Sequence, residues 1–280
     1  VSSRPQDFRA WPAWGTQPQL VEPDDLESWV LRHDDDLIVI DKPGWLVCHP
    51  SKRGPWSSLA GACREHFKLQ KLHLVSRLDR ETSGLVILAR NPRTSRRLQT
   101  ALEQRRVAKS YLAILTGEFT GERLVDAPIG PDILSAVAAK QACGQHVRRA
   151  RPASSRFHAL ACGGGYTLAQ VRPLTGRKHQ IRAHTAHLGH PVAGDKLYGP
   201  DESLFLEFAE HGWTPRLQAA LPFRRQALHA QCMHFHDPGG TQESFAAPLA
   251  PHMAAFAHEI MGLGHLPVPG TPDAPLSAPA

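Results

Sequence analysis

Three observations predict an α+β chain with a mixed sheet and helices packed on it. Short apolar or β-branched runs are interspersed with helical periodicities, without the strict βαβα order of a purely parallel sheet. The longest apolar stretches, residues 85–89 and 111–115, fall far short of the ~20 apolar residues of a membrane-spanning helix. The 280 residues, 41% hydrophobic and 21% charged, have globular proportions, which excludes wholesale disorder and fibrous structure. No segment recurs at a fixed period, which argues against solenoids and propellers.

Each element has a local reason. Residues 36–42 (DLIVIDK) form a β-branched run closed by Pro43-Gly44, a strand followed by a turn. Ser57 or Ser58 can cap the helix that follows, with Leu59, Cys63 and Phe67 along one face. Residues 85–89 read as a buried strand, and Asn91-Pro92 supplies the cap and first-turn proline of a helix with Leu98 and Leu102 inside. Residues 111–115 are another strand. Residues 117–155 contain few long apolar side chains and read as strand ends and loops. Residues 166–171 form a strand, and a turn at 173–176 leads to a helix over 178–188, with Ile181, Thr185 and Leu188 inside and Gly189 ending it. After Pro251, Met253, Phe256 and Ile260 share a face of a last helix. The first 25 or so residues, with four prolines, read as an irregular arm, and the Pro/Ala-rich tail from 265 cannot offset its ordering entropy.

Charge is concentrated. Residues 1–50 carry net −5, residues 51–110 net +10 and residues 111–280 net +1. Arg93, Arg96, Arg97, Arg105 and Arg106 contribute to the basic window, which suits a polyanion or a solvated helix face. Five scattered cysteines without a CxxC pair suggest neither a disulfide framework nor a zinc knuckle, so a reducing compartment is expected. The first fifteen residues lack the apolar segment of a secretory signal. A cytoplasmic location is therefore expected.

Two stretches could carry chemistry. In residues 76–84 (SRLDRETSG), Asp79 sits between Arg77 and Arg80 just before a buried strand. It is either a carboxylate stabilised in a polar turn or one presented for nucleophilic or electrostatic work beside a cation. In residues 175–190 (TGRKHQIRAHTAHLGH), a glycine turn opens a helix bearing Arg177, Lys178 and Arg182, which suits an anion or a carboxylate. His179, His184, His187 and His190 offer no i, i+4 pair and no HExxH, which argues against a metal site. His234 and His236 would share a strand face, as a structural pair. No GxxxxGK[ST], strand-following GxGxxG or GxSxG occurs, so phosphate-loop and serine-hydrolase readings lack support.

Several of these stretches, in this order, resemble the motifs of RluA-type pseudouridine synthases. Residues 32–50 (RHDDDLIVIDKPGWLVCHP) resemble the opening motif, 77–84 (RLDRETSG) the nucleophile motif, and 108–117 (AKSYLAILTG) the tyrosine segment. Residues 173–199 (PLTGRKHQIRAHTAHLGHPVAGDKLYG) resemble the arginine motif, and 228–253 the C-terminal signature. The resemblance covers about residues 29–257. It implies a largely antiparallel central sheet crossed by a cleft, with Asp79 as nucleophile, Tyr111 as the active-site aromatic and Arg182 as the partner of the carboxylate. Arg77 would help extrude the target base, and Arg80, Lys109, Lys178 and Gln180 would contact RNA. Ser76 departs from the histidine that often precedes the family's Arg-Leu-Asp, which bears on RNA contacts at that spot.

The expected organisation is an arm over 1–28, a catalytic domain over 29–262 and a tail over 263–280. With only about 28 residues before the first motif, no S4 RNA-binding module is expected. The implied activity is isomerisation of uridine in structured RNA, ribosomal or transfer, by a monomer with no cofactor and no catalytic metal. The alternative is a catalytically silent RNA-binding protein of the same fold.

Overall fold

The computed structural model of the protein describes residues 19–49, 54–144, 147–236 and 242–266. They form two compact units: an N-terminal unit of residues 19–110 and His229–Leu249, and a central unit of Tyr111–Leu228 and residues 250–266. No described helix is long and apolar enough to cross a membrane.

The N-terminal unit contains, numbered along the chain, α1 (Pro23–Ser28), β1 (Val30–His33), β2 (Leu37–Lys42), α2 (Leu59–His66), β3 (His73–Leu74), β4 (Ser83–Ala89) and α3 (Pro92–Glu103). It ends within β5 (Val107–Thr116) and regains the chain at β11 (Leu228–His236) and β12 (Gln242–Ala246). Its strands run in the order β1-β2-β4-β11, with β3 on β4 and β12 on β11. Only the β4–β11 pairing is parallel, matching His229 with Ser83 and Ala230 with Gly84.

The expected caps are in place. Ser58 Oγ accepts the Gly61 N–H of α2 at 3.3 Å, and Asn91 Oδ1 accepts the Thr94 N–H of α3 at 2.9 Å. Thr94, Ser95, Leu98 and Ala101 of α3 are buried, while Arg93 and Arg96 remain exposed; burying a leucine such as Leu98 stabilises by roughly 1.5–3 kcal/mol. Gly84 is obligatory at the head of β4. Its φ is +102°, and a Cβ there would lie 2.2 Å from the Ala230 carbonyl oxygen. The register of β2 on β4 pairs Lys42 with that glycine, so the end of β2 lies beside the loop leading into β4.

The central unit orders its strands β5-β10-β9-β6, all antiparallel, with β6 (Glu122–Asp126), β9 (Ser154–Gly163) and β10 (Tyr166–Pro173). A smaller hairpin pairs β7 (Ile129–Pro131) with β8 (Gln141–Cys143). The helices are α4 (Gln180–His187), α5 (Ser203–His211), α6 (Pro215–Ala220) and α7 (Pro251–Glu259).

Several elements differ from expectation. Residues 117–155 hold the short strands β6, β7 and β8; β6 is placed by its pairing with the later β9, and β7 and β8 pair with each other. Helix α4 begins at Gln180, not 178, because His179 adopts φ +55° and the Gln180 side chain closes the turn by accepting the Arg177 N–H. Ile260 is 41% exposed; Ala257 and Met261 are buried beside Met253 and Phe256 instead. Residues 23–28 of the expected arm are helical, with Leu26 buried. Residues 1–18 and most of the expected tail, 267–280, lie outside the described residues.

Candidate active site

In the N-terminal unit, the RLDRETSG stretch is the end of the loop between β3 and β4, and its last two residues begin β4. Its backbone is fixed at several points. The Asp79 carbonyl accepts the Thr82 N–H at 3.2 Å, which closes a turn over Arg80 and Glu81. Lys42, fully buried, donates Nζ hydrogen bonds to the carbonyls of Pro43 (2.8 Å), Leu46 (2.8 Å) and Arg80 (3.0 Å). A buried ammonium is tolerated where its donors meet acceptors, and here one acceptor belongs to the residue after Asp79. The residue before Asp79 is held as well, because Cys48 Sγ accepts the Leu78 N–H at 3.4 Å and lies 3.5 Å from the Leu78 carbonyl oxygen. Ser83 Oγ, at the loop's exit, lies 2.9 Å from His229 Nδ1 in a buried contact. Ser76 is buried and its hydroxyl accepts the Ile87 N–H, so this position is part of the β3–β4 packing. Arg77 and Arg80 are exposed.

In the central unit, Tyr111 pairs with Val171, and Val171 with Phe157, so Tyr111 shares a sheet face with Phe157 and, two residues away on β9, Ser155. Helix α4 is anchored to that face. Gln180 Nε2 donates to Ser155 Oγ at 2.9 Å, and His184 Nδ1 lies 2.9 Å from the same hydroxyl while Nε2 donates to the Ala127 carbonyl. Burial holds the His184 imidazole below its ordinary pKa. Arg182 lies between these two positions and projects from the opposite side of α4.

There it meets Asp195. Arg182 Nε and Nη2 donate to the two Asp195 oxygens at 2.6 and 2.9 Å, a bidentate buried pair. Burial pushes the Asp195 carboxyl up, but the Arg182 charge and the Leu197 and Tyr198 N–H groups outweigh it and hold the carboxyl below the usual range. The Arg182 guanidinium carbon lies 4.9 Å from the Tyr198 ring centroid. The Tyr198 hydroxyl accepts the Gln141 N–H at 2.8 Å and lies 3.0 Å from His179 Nδ1. Gly194 makes this turn possible, since a Cβ there would lie 2.4 Å from the Arg225 carbonyl oxygen.

Asp79, Arg77 and Arg80 thus belong to one braced loop of the N-terminal unit, and Tyr111 and Arg182 to one side of the central sheet. Lys109 is largely buried on β5, which pushes its ammonium pKa down, and Lys178 is exposed. Gln180, expected at RNA, is buried; its oxygen accepts from Thr175 Oγ1 and the Arg177 N–H, and its nitrogen donates to the Ser154 carbonyl and Ser155 Oγ. Sequence reasoning missed Lys42, Cys48, Asp195 and Tyr198. The available signals were a lysine closing an apolar strand before Pro-Gly, and an aspartate after a glycine in the GDKLYG turn.

Four of these histidines are otherwise engaged: His179 with Tyr198, His184 with Ser155 and Ala127, His190 with the Thr116 carbonyl and His234 with Ser244. The His236 side chain lies outside the described residues. Among the described residues, no three His, Cys, Asp or Glu side chains group as a metal site.

The sequence profile of the family described as RNA pseudouridylate synthase matches residues 36–187, more than half of the chain. The chain belongs to this family. That span of the pseudouridylate synthase pattern includes the Asp79 loop, Tyr111 and Arg182. Ribosomal large subunit pseudouridine synthase D of Nitrosomonas europaea is 34% identical over 84% of this chain and 66% of its own length. The protein of the same description from Haemophilus ducreyi is 32% identical over 78% of this chain and 65% of its own. The chain therefore spans about two thirds of the length of these curated relatives. Among solved structures, human RNA Pseudouridylate Synthase Domain Containing 1 aligns with a TM-score of 0.65 at 24% identity, covering 81% of this chain and 86% of its own. Human RNA Pseudouridylate Synthase Domain Containing 4 aligns with a TM-score of 0.63 at 24% identity, covering 85% of this chain and 95% of its own. At that identity the likeness is one of fold, a mixed, largely antiparallel sheet with helices.

Proposed function

We propose that this chain isomerises specific uridines in structured RNA to pseudouridine. Family membership is the observation that carries the reading. The description shared by the relatives, a ribosomal large subunit pseudouridine synthase, favours large-subunit ribosomal RNA over transfer RNA. The protein would act as a cytoplasmic monomer. The exposed cations Arg77, Arg80, Lys178, Arg93, Arg96, Arg105 and Arg106 supply the phosphate attraction such a substrate requires.

The reaction breaks the N1–C1′ bond of the nucleotide and joins C1′ to C5; the C5 proton leaves and N1 ends protonated. No electrons are exchanged with another reagent. Asp79 acts on the ribose side, opening the glycosidic bond through a covalent or tightly ion-paired sugar species. Arg182, held by Asp195, supplies a fixed positive charge for the reaction. Tyr111 packs on the base while it turns and assists removal of the C5 proton. Extruding the uridine from its stack costs a few kcal/mol, which phosphate contacts offset. Arg77 enters the space the base leaves. Gln180 shapes the start of α4, so its contribution to RNA binding is indirect.

Tritium release from RNA labelled at uracil C5 tests the reading, with ribosomal and transfer RNA assayed separately. Release by wild type and none by Asp79→Asn is the expected result, with RNA affinity retained by the variant. RNA binding of steep salt dependence without any release would identify a silent binder instead.

A further inference from the structure

Residues 48 and 49 follow β2 and both reach the Asp79 loop, but they hold different parts of it. Cys48 grips the backbone at Leu78, and Lys42 grips it at Arg80. The main chain on either side of Asp79 is therefore fixed without His49. His49 meets a side chain instead: its Nε2 lies 3.0 Å from Nη1 of Arg77. A guanidinium only donates, so Nε2 is the acceptor and the ring proton sits on Nδ1. Both residues are exposed, and among the described residues Arg77 has no other polar partner.

The choice of partner matters. A carboxylate would hold the guanidinium more tightly, but it would neutralise the charge and compete with an incoming phosphate. A neutral imidazole orders the long side chain before RNA arrives and leaves the charge intact for an anion. The contact thus spends little of what Arg77 has to offer RNA.

We propose that His49 is a positioning residue that presets the Arg77 guanidinium, through an uncharged contact, for extrusion of the target uridine. The proposal rests on the reading of the chain as a uridine isomerase acting on RNA. Because the backbone anchors are separate, removing the imidazole leaves the loop and Asp79 in place.

The test is a double-mutant cycle on C5-tritiated large-subunit ribosomal RNA, with kcat and KM determined separately for wild type, His49→Ala, Arg77→Ala and the double variant. His49→Ala should lower kcat about tenfold, with KM changed by less than about twofold and an unaltered urea midpoint. His49→Gln, which keeps an acceptor, should recover most of the loss, and His49→Glu should be worse than alanine. The double variant should be no slower than Arg77→Ala alone. Unchanged kcat in His49→Ala, no rescue by glutamine, or independent multiplying losses would overturn the proposal while leaving the isomerase reading intact. No tritium release by wild type from either ribosomal or transfer RNA would instead remove that reading, and the extrusion role with it. Nitrogen-15 spectra of the RNA-free protein check the pairing by a separate route: an unprotonated Nε2 that shifts in Arg77→Ala is expected, and a protonated Nε2 overturns the proposal.

Discussion

Asp195 grips Arg182 through two parallel hydrogen bonds of 2.6 and 2.9 Å, with the aspartate side chain wholly inaccessible and the arginine nearly so. The carboxylate is also the acceptor for two consecutive backbone N–H groups, so it fixes both the arginine and the turn that displays Tyr198. A pair this buried is held against a desolvation cost, and its geometry matters more than its net energy.

Asp195→Asn should therefore destabilise the protein by about 3–5 kcal/mol, because it leaves a buried guanidinium short of its counter-charge. Combining Arg182→Met with Asp195→Leu should recover much of that loss in urea midpoint without recovering turnover. A double variant as unstable as Asp195→Asn would contradict the assignment of the cost to an uncompensated charge.

The same pair sets an acid limit. The folded Asp195 pKa lies below its ordinary value of 3.8, so its stabilisation is complete above that pH and is lost as pH falls through the folded value. Buried His184 is also depressed, below 6.5, so the neutral ring favours the fold above that pH and its contribution is lost as pH falls. Urea unfolding across the acid range should show stability declining first below about pH 6.5 and again below about pH 4. His184→Gln should flatten the first limb and Asp195→Asn the second. A curve that stays level between neutrality and pH 5 would count against the buried neutral imidazole.

These groups mark where sequence reading succeeds and where it stops. Ser58 and Asn91 were legible because each cap bonds to an N–H three residues away, inside the same window of sequence. Strand β4 was legible because it is apolar along most of its length. By contrast β6 owes its place to β9, paired from Glu122 with His158 to Asp126 with Ser154, and nothing in its composition announces that partner. Asp195 was invisible for the same reason, since its partner is 13 residues away and its role exists only once α4 and the 195–198 turn have met. Gln180 looked like a polar residue bound for RNA until Ser154, Ser155, Thr175 and Arg177 accounted for its amide.

Lys42→Met should cost about 2–4 kcal/mol in urea unfolding, because three carbonyls lose a charged donor in a site closed to water. Turnover should fall by more than stability alone explains at temperatures where the variant is still folded, since Arg80 loses its anchor. A folded variant with wild-type kcat would show that the loop holds its shape without the ammonium.

Gly84→Ala and Gly121→Ala separate crowding from backbone strain. Both positions have positive φ, +102° and +71°, but only Gly84 faces a backbone atom within reach of a Cβ. Gly121→Ala should cost about 1–2 kcal/mol, and Gly84→Ala about 3 kcal/mol or more. Equal losses in thermal or urea unfolding would mean that β4 and β11 can part slightly to admit the methyl group.

The loop around Asp79 is held on both sides by contacts from Lys42 and Cys48 to its main chain, and an asparagine at position 79 has the same shape as the aspartate it replaces. A protein carrying Asp79→Asn would keep the contours that recognise its partner while being unable to release it as product. Immobilised and mixed with total cellular RNA, such a variant becomes bait, and sequencing the strands it retains would reveal which transcript, and which stretch of it, fits those contours.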